Sequence, residues 1–373
     1  MRTVRAILRR AATVRSAADL KRRVSSLPVL LFKIAASRHG RKAWSRNTAR
    51  LVEAARKAGE LKPEPGKKKI PPYRIFWSWD LNSSCNYGCP YCFYSSKDDS
   101  ATLFLSPRDW GIIWRNIYKK YGRCRISVAG GEPSVYPEFP GVISAIAGAH
   151  SVEVSTNLSF DPEKLAGKVD PGMLTLNAGF HPLYAGFGDF LEKAGKFSAA
   201  GFRLTVSHVA YPAHNLEKIK EYMKEFNRAG IPFIVQPFRG VFRGRRYPDS
   251  YSEDEREILR EAAETEQPLD ERVKVSRPPG AASSEDVNRA LRRHNLLKRK
   301  NLHKKCRMGQ MYAKVYPDGS IYRCCAPDAR KMGHIADPGF RLYGTPQSCE
   351  SLECCCYKRM RAGEESEWMR FWK

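Results

Sequence analysis

Three cysteines stand close together on one short stretch of the chain: Cys85, Cys89 and Cys92. An aromatic residue, Tyr91, directly precedes the last of them, and an apolar run over residues 75–81 precedes the whole group. Three thiolates on one tight loop can ligate three irons of an iron–sulfur cluster and leave the fourth iron open to a small molecule. The same thiolates could hold zinc or be purely structural, so the pattern predicts a metal site and leaves the metal open.

The sequence around this loop alternates between short β-rich runs and helix-like segments. The predicted strands are residues 75–81, 125–129, 152–155, 173–178, 203–209 and 233–236. Alternating β and α units with near-continuous apolar strands predict an α/β fold with a parallel sheet and helices outside it. Six such units would form a partial (β/α)6 barrel, in which the chemistry lies at the carboxyl ends of the strands.

Polar and glycine-rich residues follow the predicted strands, as such a barrel requires. The second strand runs into Gly130, Gly131 and Glu132, and the third ends at Ser155 and Asn157. Glycines let a backbone approach a ligand closely, and a glutamate carboxylate suits an ammonium group. Each of these features is also common in ordinary turns and helix caps. Because they follow consecutive strands, we expect these residues to converge at the carboxyl end of the barrel, which we call its mouth.

The cysteine spacing and the Gly-Gly-Glu-Pro turn that begins at Gly130 together resemble the CxxxCxΦC and GGEP motifs of the radical S-adenosylmethionine (SAM) enzymes. The resemblance implies that the three cysteines ligate a [4Fe–4S] cluster and that the Gly-Gly-Glu loop binds the amino group of SAM. It also implies that Ser155 and Asn157 contact the ribose and carboxylate, and that Tyr91 and the backbone around Val209 lie at the adenine. The family's usual glycine pattern after the fifth strand is not recognisable here. In this family, one-electron reduction cleaves SAM to methionine and a 5′-deoxyadenosyl radical, which takes hydrogen from the substrate.

Two further polar features follow the later strands. His181 comes after the fourth strand, where it could bind substrate, act as a general base or cap the next helix. Four arginines follow the sixth strand and would suit a phosphate, a carboxylate or a peptide acid, although they are equally ordinary as surface charge: Arg239, Arg243, Arg245 and Arg246.

A second group of cysteines lies near the end of the sequence. Two β-rich runs around residues 317–319 predict a hairpin whose far strand returns Cys324 to the neighbourhood of Cys306. This arrangement resembles the opening of the SPASM and twitch extensions of radical SAM enzymes, although the full SPASM spacing is absent. The resemblance implies one auxiliary [4Fe–4S] cluster held by Cys306, Cys324, Cys349 and Cys355, with zinc as the structural alternative.

The positive charge is concentrated in the first part of the chain. Of a net charge of +26, residues 1–70 contribute +16, with 20 Lys/Arg against 4 Asp/Glu. The amphipathic segment 1–56 could contact an anionic membrane surface, a partner or nucleic acid, could be a transit peptide, or could be a solvated helical extension. The predicted division of the chain is a basic helical extension and linker over 1–70, a radical SAM core over 71–246, a helical connection over 247–304 and an auxiliary cluster domain over 305–373.

The eleven cysteines bear on where the protein works. They are clustered, their number is odd, and no signal peptide is recognisable, which favours metal binding in a reducing compartment over a disulfide framework. No apolar run approaches the ~20 residues of a membrane span. We therefore expect a cytoplasmic protein, with peripheral membrane contact through residues 1–56 as an option.

Three functions are compatible with these patterns. The first is a radical SAM enzyme that modifies a peptide or protein side chain, and the second is the same chemistry used to oxidise, epimerise or dehydrate a carbohydrate or lipid-linked small molecule. The third, a zinc-containing nucleic-acid-binding protein, is disfavoured by the motifs at the strand ends. The expected partners are SAM, a peptide or small-molecule substrate, and an external one-electron reductant of the flavodoxin or ferredoxin type.

Overall fold

A computed structural model describes residues 46–60, 71, 73–92, 99–264, 303–326 and 328–351. Six parallel strands with helices between them form its centre, as predicted. The strands are β1 (Phe76–Asn82), β2 (Arg125–Gly130), β3 (Ser151–Thr156), β4 (Leu174–Phe180), β5 (Arg203–Ala210) and β6 (Phe233–Pro237). The helices are α1 (Arg46–Glu60), α2 (Pro107–Tyr121), α3 (Phe139–Ala147), α4 (Phe187–Ala199), α5 (Lys218–Arg228) and α6 (Glu253–Glu264). The α/β fold predicted from the sequence is confirmed.

The strands alternate between the two faces of the sheet. On β4, Leu174 and Leu176 are buried beneath the helices, whereas Thr175 and Asn177 are half-exposed on the other face. β3 has the same alternation, with every second side chain buried. Since successive side chains of a strand point to opposite faces, the sheet has an apolar outer face and a polar inner face that lines the lumen of the partial barrel.

Helix α2 fixes β1, the strand that leads to the cysteine loop. The helix begins with a capping serine and a proline, which are typical of helix starts: the Ser106 hydroxyl accepts a hydrogen bond from Asp109 N at 3.2 Å. Its tryptophans then pack against the outer face of β1, with the ring centroids of Trp79 and Trp110 4.5 Å apart. Such aromatic pairs bury large apolar areas, and they fix the position of β1 beneath the helix.

Helix α1 docks on α2. Val52 and Ala55 are buried, and Arg56 donates two hydrogen bonds to the Asp109 carboxylate, at 2.7 and 2.9 Å. Bidentate pairs of this kind fix orientation as well as contributing energy. Most of the basic segment 1–56, with its predicted membrane, partner or nucleic-acid contact, lies outside the described residues. Among the helices that the structure describes, none is long and apolar enough to cross a membrane.

The hairpin predicted around residues 317–319 extends the central sheet. Strands β10 (Tyr312–Val315), β11 (Ser320–Tyr322) and β12 (Lys331–His334) form an antiparallel unit. β10 pairs in parallel with β1, with Phe76 opposite Tyr312 and Trp79 opposite Val315. The described sheet therefore has nine strands, in the order β12-β11-β10-β1-β2-β3-β4-β5-β6, and it runs across the predicted boundary at residue 305. The division of the chain into domains remains a prediction.

Two short antiparallel two-stranded sheets complete the described strands. β7 (Gly240–Phe242) pairs with β8 (Arg245–Tyr247), and β9 (Lys305–Cys306) pairs with β13 (Gln347–Ser348). The first follows β6 at the carboxyl end of the sheet. The second joins two of the predicted auxiliary-cluster segments.

An ion pair joins β10 to β1 on the inner face of the sheet. Lys314 Nζ lies 2.5 Å from Asp80 Oδ1 and 3.3 Å from the Ser78 hydroxyl, and both charged side chains are almost entirely buried. Burying two charges costs desolvation free energy, which their attraction and hydrogen bonds offset. If one partner is removed, the other charge stays buried without compensation.

We expect Lys314→Met to lower the free energy of unfolding by about 3–5 kcal/mol, because the Asp80 carboxylate would be left buried and unpaired. Urea unfolding of the anaerobically purified protein measures this. Adding Asp80→Asn should recover much of the loss. As a control, Lys196→Met removes a fully solvated ion pair with Glu192 and should leave stability unchanged. Equal effects of the two lysine variants would contradict the prediction.

Candidate active site

The cysteine loop lies at the carboxyl end of β1. Cys92 N donates a hydrogen bond to Cys89 O at 3.0 Å, and Tyr87 N donates one to Cys85 Sγ at 3.3 Å. Cys85 and Cys89 are half-buried, Cys92 is exposed, and none is in a disulfide. Three thiols are thus held on one compact loop that remains accessible from outside. This donor set fits the three-cysteine site of an iron–sulfur cluster.

Polar side chains fix the start of this loop. Asp99 Oδ1 accepts hydrogen bonds from Ser83 N at 2.6 Å and Ser84 N at 3.0 Å. Asn82 Nδ2 donates to Ser84 O at 2.9 Å and to Glu132 O at 3.1 Å. These buried contacts orient the chain where it leaves β1. Asn82 and Asp99 were not recognised from the sequence, where nothing in their immediate surroundings marks them.

The Gly-Gly-Glu turn packs directly on the same segment. Gly131 N donates to Asn82 O at 3.0 Å, and Glu132 N donates to Ser84 O at 2.9 Å. A Cβ atom on Gly131 would lie 2.1 Å from Ser84 O, and one on Gly130, whose φ is +132°, would lie 2.2 Å from Asn82 O. In the structure, the two glycines therefore allow close contact with the chain's own backbone. Their predicted approach to SAM stays a prediction.

The Glu132 carboxylate lies buried between β2 and β3. Oε1 accepts hydrogen bonds from the Thr156 hydroxyl at 2.6 Å and Ser134 N at 3.0 Å, and Oε2 accepts one from Asn157 N at 2.7 Å. Burial raises the pKa of Glu132, against the opposing effect of these donors. No lysine or arginine of the described residues forms an ion pair with it. A buried carboxylate with this surplus of negative charge fits the ammonium group of a ligand.

Ser155 and Asn157, the two residues predicted at the end of the third strand, point in different directions. Ser155 is half-exposed on the inner face of β3. The Asn157 side chain instead donates to Asn86 Oδ1 at 2.9 Å, which ties the strand end to the cysteine loop. Thr156, between them, holds Glu132 and was not singled out from the sequence. Its role depends on the position of a carboxylate 24 residues away.

His181 meets Tyr91 above the sheet. Its Nδ1 lies 2.9 Å from the Tyr91 hydroxyl, and the two rings are stacked. Burial, with a smaller contribution from His214, lowers the pKa of His181 to about 4, so the ring is neutral at pH 7. Its side chain does not cap the next helix, because α4 begins after Gly186 without a side-chain cap.

Tyr91 is the centre of an aromatic cluster that joins the cysteine loop to β5. Its ring centroid lies 5.1 Å from that of Tyr211 and 5.8 Å from that of His214. Burial raises the pKa of its hydroxyl, which therefore stays protonated. Val209, the other residue predicted at the adenine, is half-buried on the inner face of β5, and its carbonyl accepts a hydrogen bond from Tyr211 N at 2.7 Å.

The lumen behind these residues is polar. Ser78 and Ser127 face it from β1 and β2, in register with each other. On β3, Glu153 forms an ion pair with Arg125 and accepts a hydrogen bond from Asn177 Nδ2 at 2.6 Å. A space lined by hydroxyl, amide and charged groups is suited to a substrate that carries hydrogen-bonding groups.

The structure brings together the described cysteines of the second group. Cys306 lies opposite Gln347 in the β9–β13 pair, so that Cys349 follows close by. Burial raises the pKa of Cys324 to about 11, and smaller contributions come from Cys325, Cys306 and Cys349. Cys325, which the predicted ligand set leaves out, thus belongs to the same neighbourhood. The fourth predicted ligand, Cys355, lies outside the described residues.

The two cysteine groups lie at opposite ends of β1. Cys306 and Cys324 pack against a small apolar cluster that includes Phe76, the first residue of the strand, whereas the cysteine loop follows its last residue. Seven residues of β-strand span about 20 Å. The polar lumen lies between the two ends. In the described parts of the chain, no three His, Cys, Asp or Glu side chains already form a site for a single metal ion.

Sequence comparison relates part of the chain to characterised enzymes. A GTP 3′,8-cyclase of Stenotrophomonas maltophilia is 28% identical over 107 residues, which cover 28% of this chain and 32% of the relative. A probable GTP 3′,8-cyclase of Sulfolobus acidocaldarius is 28% identical over 106 residues, covering 28% and 33%. The matched region thus spans about a third of the length of these curated relatives. No protein-family model matches the chain.

These cyclases are radical SAM enzymes. The chain that matches them carries the cysteine and Gly-Gly-Glu motifs of that superfamily at consecutive ends of parallel strands. The two motifs and the partial sequence matches together support a radical SAM superfamily enzyme. The cofactors of this family, a [4Fe–4S] cluster with SAM, match the two features described above, a three-thiol loop and a buried carboxylate without a cation.

Structural comparison gives more distant similarities. The structure of SuiB from Streptococcus suis bound to SAM aligns with a TM-score of 0.47 and 17% identity, covering 78% of this chain and 69% of that one. Native anSMEcpe with bound AdoMet aligns with a TM-score of 0.46 and 15% identity, covering 71% and 78%. BtrN in complex with AdoMet and 2-DOIA aligns with a TM-score of 0.32 and 13% identity, covering 70% and 78%.

The contact between the glycine turn and the cysteine loop leads to a direct test. Gly131→Ala should displace the loop, because its Cβ would lie 2.1 Å from Ser84 O and 2.4 Å from Ser83 O. We expect a loss of about 1–3 kcal/mol in stability and at least a tenfold weaker SAM affinity. Isothermal titration calorimetry on the reconstituted protein measures the affinity. Gly148→Ala, with no atom within 4 Å of the added Cβ, should bind SAM normally.

Buried histidines near the mouth predict a loss of stability in acid. Burial lowers the pKa of His208 to about 4, below its unfolded value of about 6.5. The protein therefore has its full free energy of unfolding above pH ~6.5. As the pH falls towards 4, protonation of this histidine in the unfolded state lowers that free energy by up to about 3 kcal/mol. Thermal unfolding between pH 7 and 4 should show the decline, and His208→Phe should make it shallower. An unchanged slope in the variant would contradict the assignment.

Proposed function

We propose that this protein is a radical SAM enzyme that abstracts a hydrogen atom from its substrate. The observation that carries the proposal is the direct backbone contact between the Gly-Gly-Glu turn and the segment that leads into the cysteine loop. This contact joins the turn that carries the buried Glu132 carboxylate to the segment that leads into the three thiols. When bound, a reduced [4Fe–4S] cluster with SAM supplies a 5′-deoxyadenosyl radical.

Different residues at the mouth would bind the cluster and the separate parts of SAM. Cys85, Cys89 and Cys92 would ligate three irons, and Glu132 would accept the ammonium group of SAM. By the family resemblance, Gly130 and Gly131 would assist through their backbone, Ser155 and Asn157 would contact the ribose and carboxylate, and Tyr91 and Val209 would border the adenine. The buried surroundings of Glu132 support its part, since a charge pair is stronger where water is excluded.

His181 would act on the substrate at the same end of the barrel. The ring is neutral at pH 7 and is held by Tyr91, so it is able to accept a proton at a fixed position. A substrate radical that loses one electron must also lose a proton to give a stable oxidised product. His181 is the proposed acceptor of that proton.

A cluster held by the second cysteine group would supply an acceptor for the electron that the substrate radical loses. We propose an auxiliary [4Fe–4S] cluster held by Cys306, Cys324, Cys349 and Cys355, with Cys325 beside it. The common neighbourhood of the four described cysteines supports this assignment. Their position across the lumen from the cysteine loop would place the substrate between an initiating and an accepting cluster.

The proposed substrate is a peptide or protein side chain that enters the lumen from the mouth. A second candidate, a carbohydrate or other hydroxylated small molecule, is supported by the hydroxyl, amide and charged groups that line the lumen. An external one-electron reductant would start each turnover. The clustered cysteines support a reducing, cytoplasmic location, and membrane contact through residues 1–56 remains a proposal.

Anaerobic reconstitution tests both clusters. Two [4Fe–4S] clusters correspond to about eight irons per chain. Cys89→Ala should lose about half of the iron and all formation of 5′-deoxyadenosine with dithionite. Cys324→Ala should lose a similar amount of iron but still cleave SAM when no substrate is present. Cys124→Ala, at a buried cysteine that belongs to neither group, should keep the iron and the activity. Zinc in place of iron in the wild type would refute the proposal.

A further inference from the structure

The hairpin formed by residues 239–246 at the carboxyl end of the sheet, which we call the arginine hairpin, has no role in the mouth described above. Its eight residues include four arginines and no acidic residue. All four arginines are exposed: Arg239, Arg243, Arg245 and Arg246. Val241 on the same hairpin is 70% exposed. The hairpin therefore presents a cationic surface with an apolar residue in it, a composition that favours contact with an anionic protein.

Charges elsewhere in the described chain do not neutralise this surface. None of the four arginines forms an ion pair with a described acidic residue. The nearby acidic helix α6 pairs with other cations: Glu261 with Lys220, and Glu253 and Glu257 with Arg260. The positive potential of the hairpin thus remains available to a partner.

The hairpin is firmly anchored. The Tyr251 hydroxyl bridges its base to β5, since it donates to Ala210 O and accepts from Phe238 N at 2.8 Å. At the tip, Arg243 and Gly244 both have positive φ values, 47° and 74°, as a tight two-residue hairpin turn requires. Arg243 lies over the Phe242 ring, 5.2 Å from its centroid. A fixed surface loses less entropy on docking than a flexible one.

The hairpin lies beside the cysteine loop. The Phe242 ring centroid is 5.2 Å from that of Tyr211, which is 5.1 Å from that of Tyr91, the neighbour of Cys92. Cys92 itself is exposed. A protein bound to the arginine hairpin would therefore also lie over the accessible side of the loop that holds the proposed cluster.

We propose that the arginine hairpin is the docking surface for an acidic one-electron carrier protein, which delivers one electron to the cluster at Cys85, Cys89 and Cys92. The inference rests on the proposed function, which requires such a donor. The exposure of the arginines favours a protein partner over the substrate, whose polar groups are matched inside the lumen. Attraction between opposite charges would speed encounter and would be screened by salt.

The test compares two reductants on the same reconstituted full-length enzyme. Formation of 5′-deoxyadenosine without substrate is measured with a reduced flavodoxin and, separately, with dithionite, which needs no docking surface. The variant is Arg243→Glu/Arg245→Glu/Arg246→Glu. The matched control reverses three exposed lysines elsewhere: Lys164→Glu/Lys168→Glu/Lys224→Glu. Iron content and circular dichroism check that both variants fold, and an Arg→Gln version of the triple variant gives a milder change.

We expect the flavodoxin-driven rate of the arginine variant to fall at least tenfold, while its dithionite-driven rate and both rates of the control stay within twofold of wild type. Raising NaCl from 50 to 300 mM should slow the wild type with flavodoxin and barely affect the variant. Equal losses with both reductants would overturn the inference in favour of a role at the SAM site. An unchanged flavodoxin rate would place the donor elsewhere. No 5′-deoxyadenosine from wild type with dithionite would instead refute the proposed function itself.

Discussion

Two main-chain hydrogen bonds hold the candidate active site together: Gly131 N to Asn82 O, and Glu132 N to Ser84 O. They connect the chain after β2 to the chain after β1, where no side chain could fit between them. The cysteine loop is also held by Asp99, by the hydrogen bond between Asn86 and Asn157 and by the aromatic contacts of Tyr91. Because the contact between the two turns is made by the backbone, the main-chain positions from which the thiols and the carboxylate extend are held relative to each other independently of side-chain rotamers.

Two carboxylates are buried near the lumen, and they differ in how their charge is balanced. Asp80 has a cation of its own, Lys314, supplied by the C-terminal hairpin. Glu132 has three hydrogen-bond donors and no cation among the described residues. Both carry the cost of desolvation, but only the second is left for a ligand to compensate. If Glu132 binds the ammonium group of SAM as proposed, that pairing would offset part of the desolvation cost of the buried carboxylate.

Local patterns in the sequence predicted many of the elements that form this site. The features that the sequence did not reveal depend on contacts between residues that are far apart along the chain. The six strands, the Ser106 cap of α2 and the motif-bearing strand ends follow from periodicity and spacing, which short segments encode. Thr156 and Asp99 could not be found in this way, because each acts on a group far away in sequence. The pairing of β10 with β1 was also missed, since register between distant strands depends on packing and not on either strand alone. The predicted roles of the site residues await the experiments above.

The parallel contact between β1 and β10 also has a consequence for how the protein is made. Ser78 and Lys314 are 236 residues apart. At the usual speed of ribosomes, about 5–20 residues per second, β1 emerges on the order of tens of seconds before its partner. Throughout that interval β1 is an unprotected edge of the nascent sheet, open to pairing with other chains. Translation pauses and chaperones that act on such edges would therefore influence the yield of native protein.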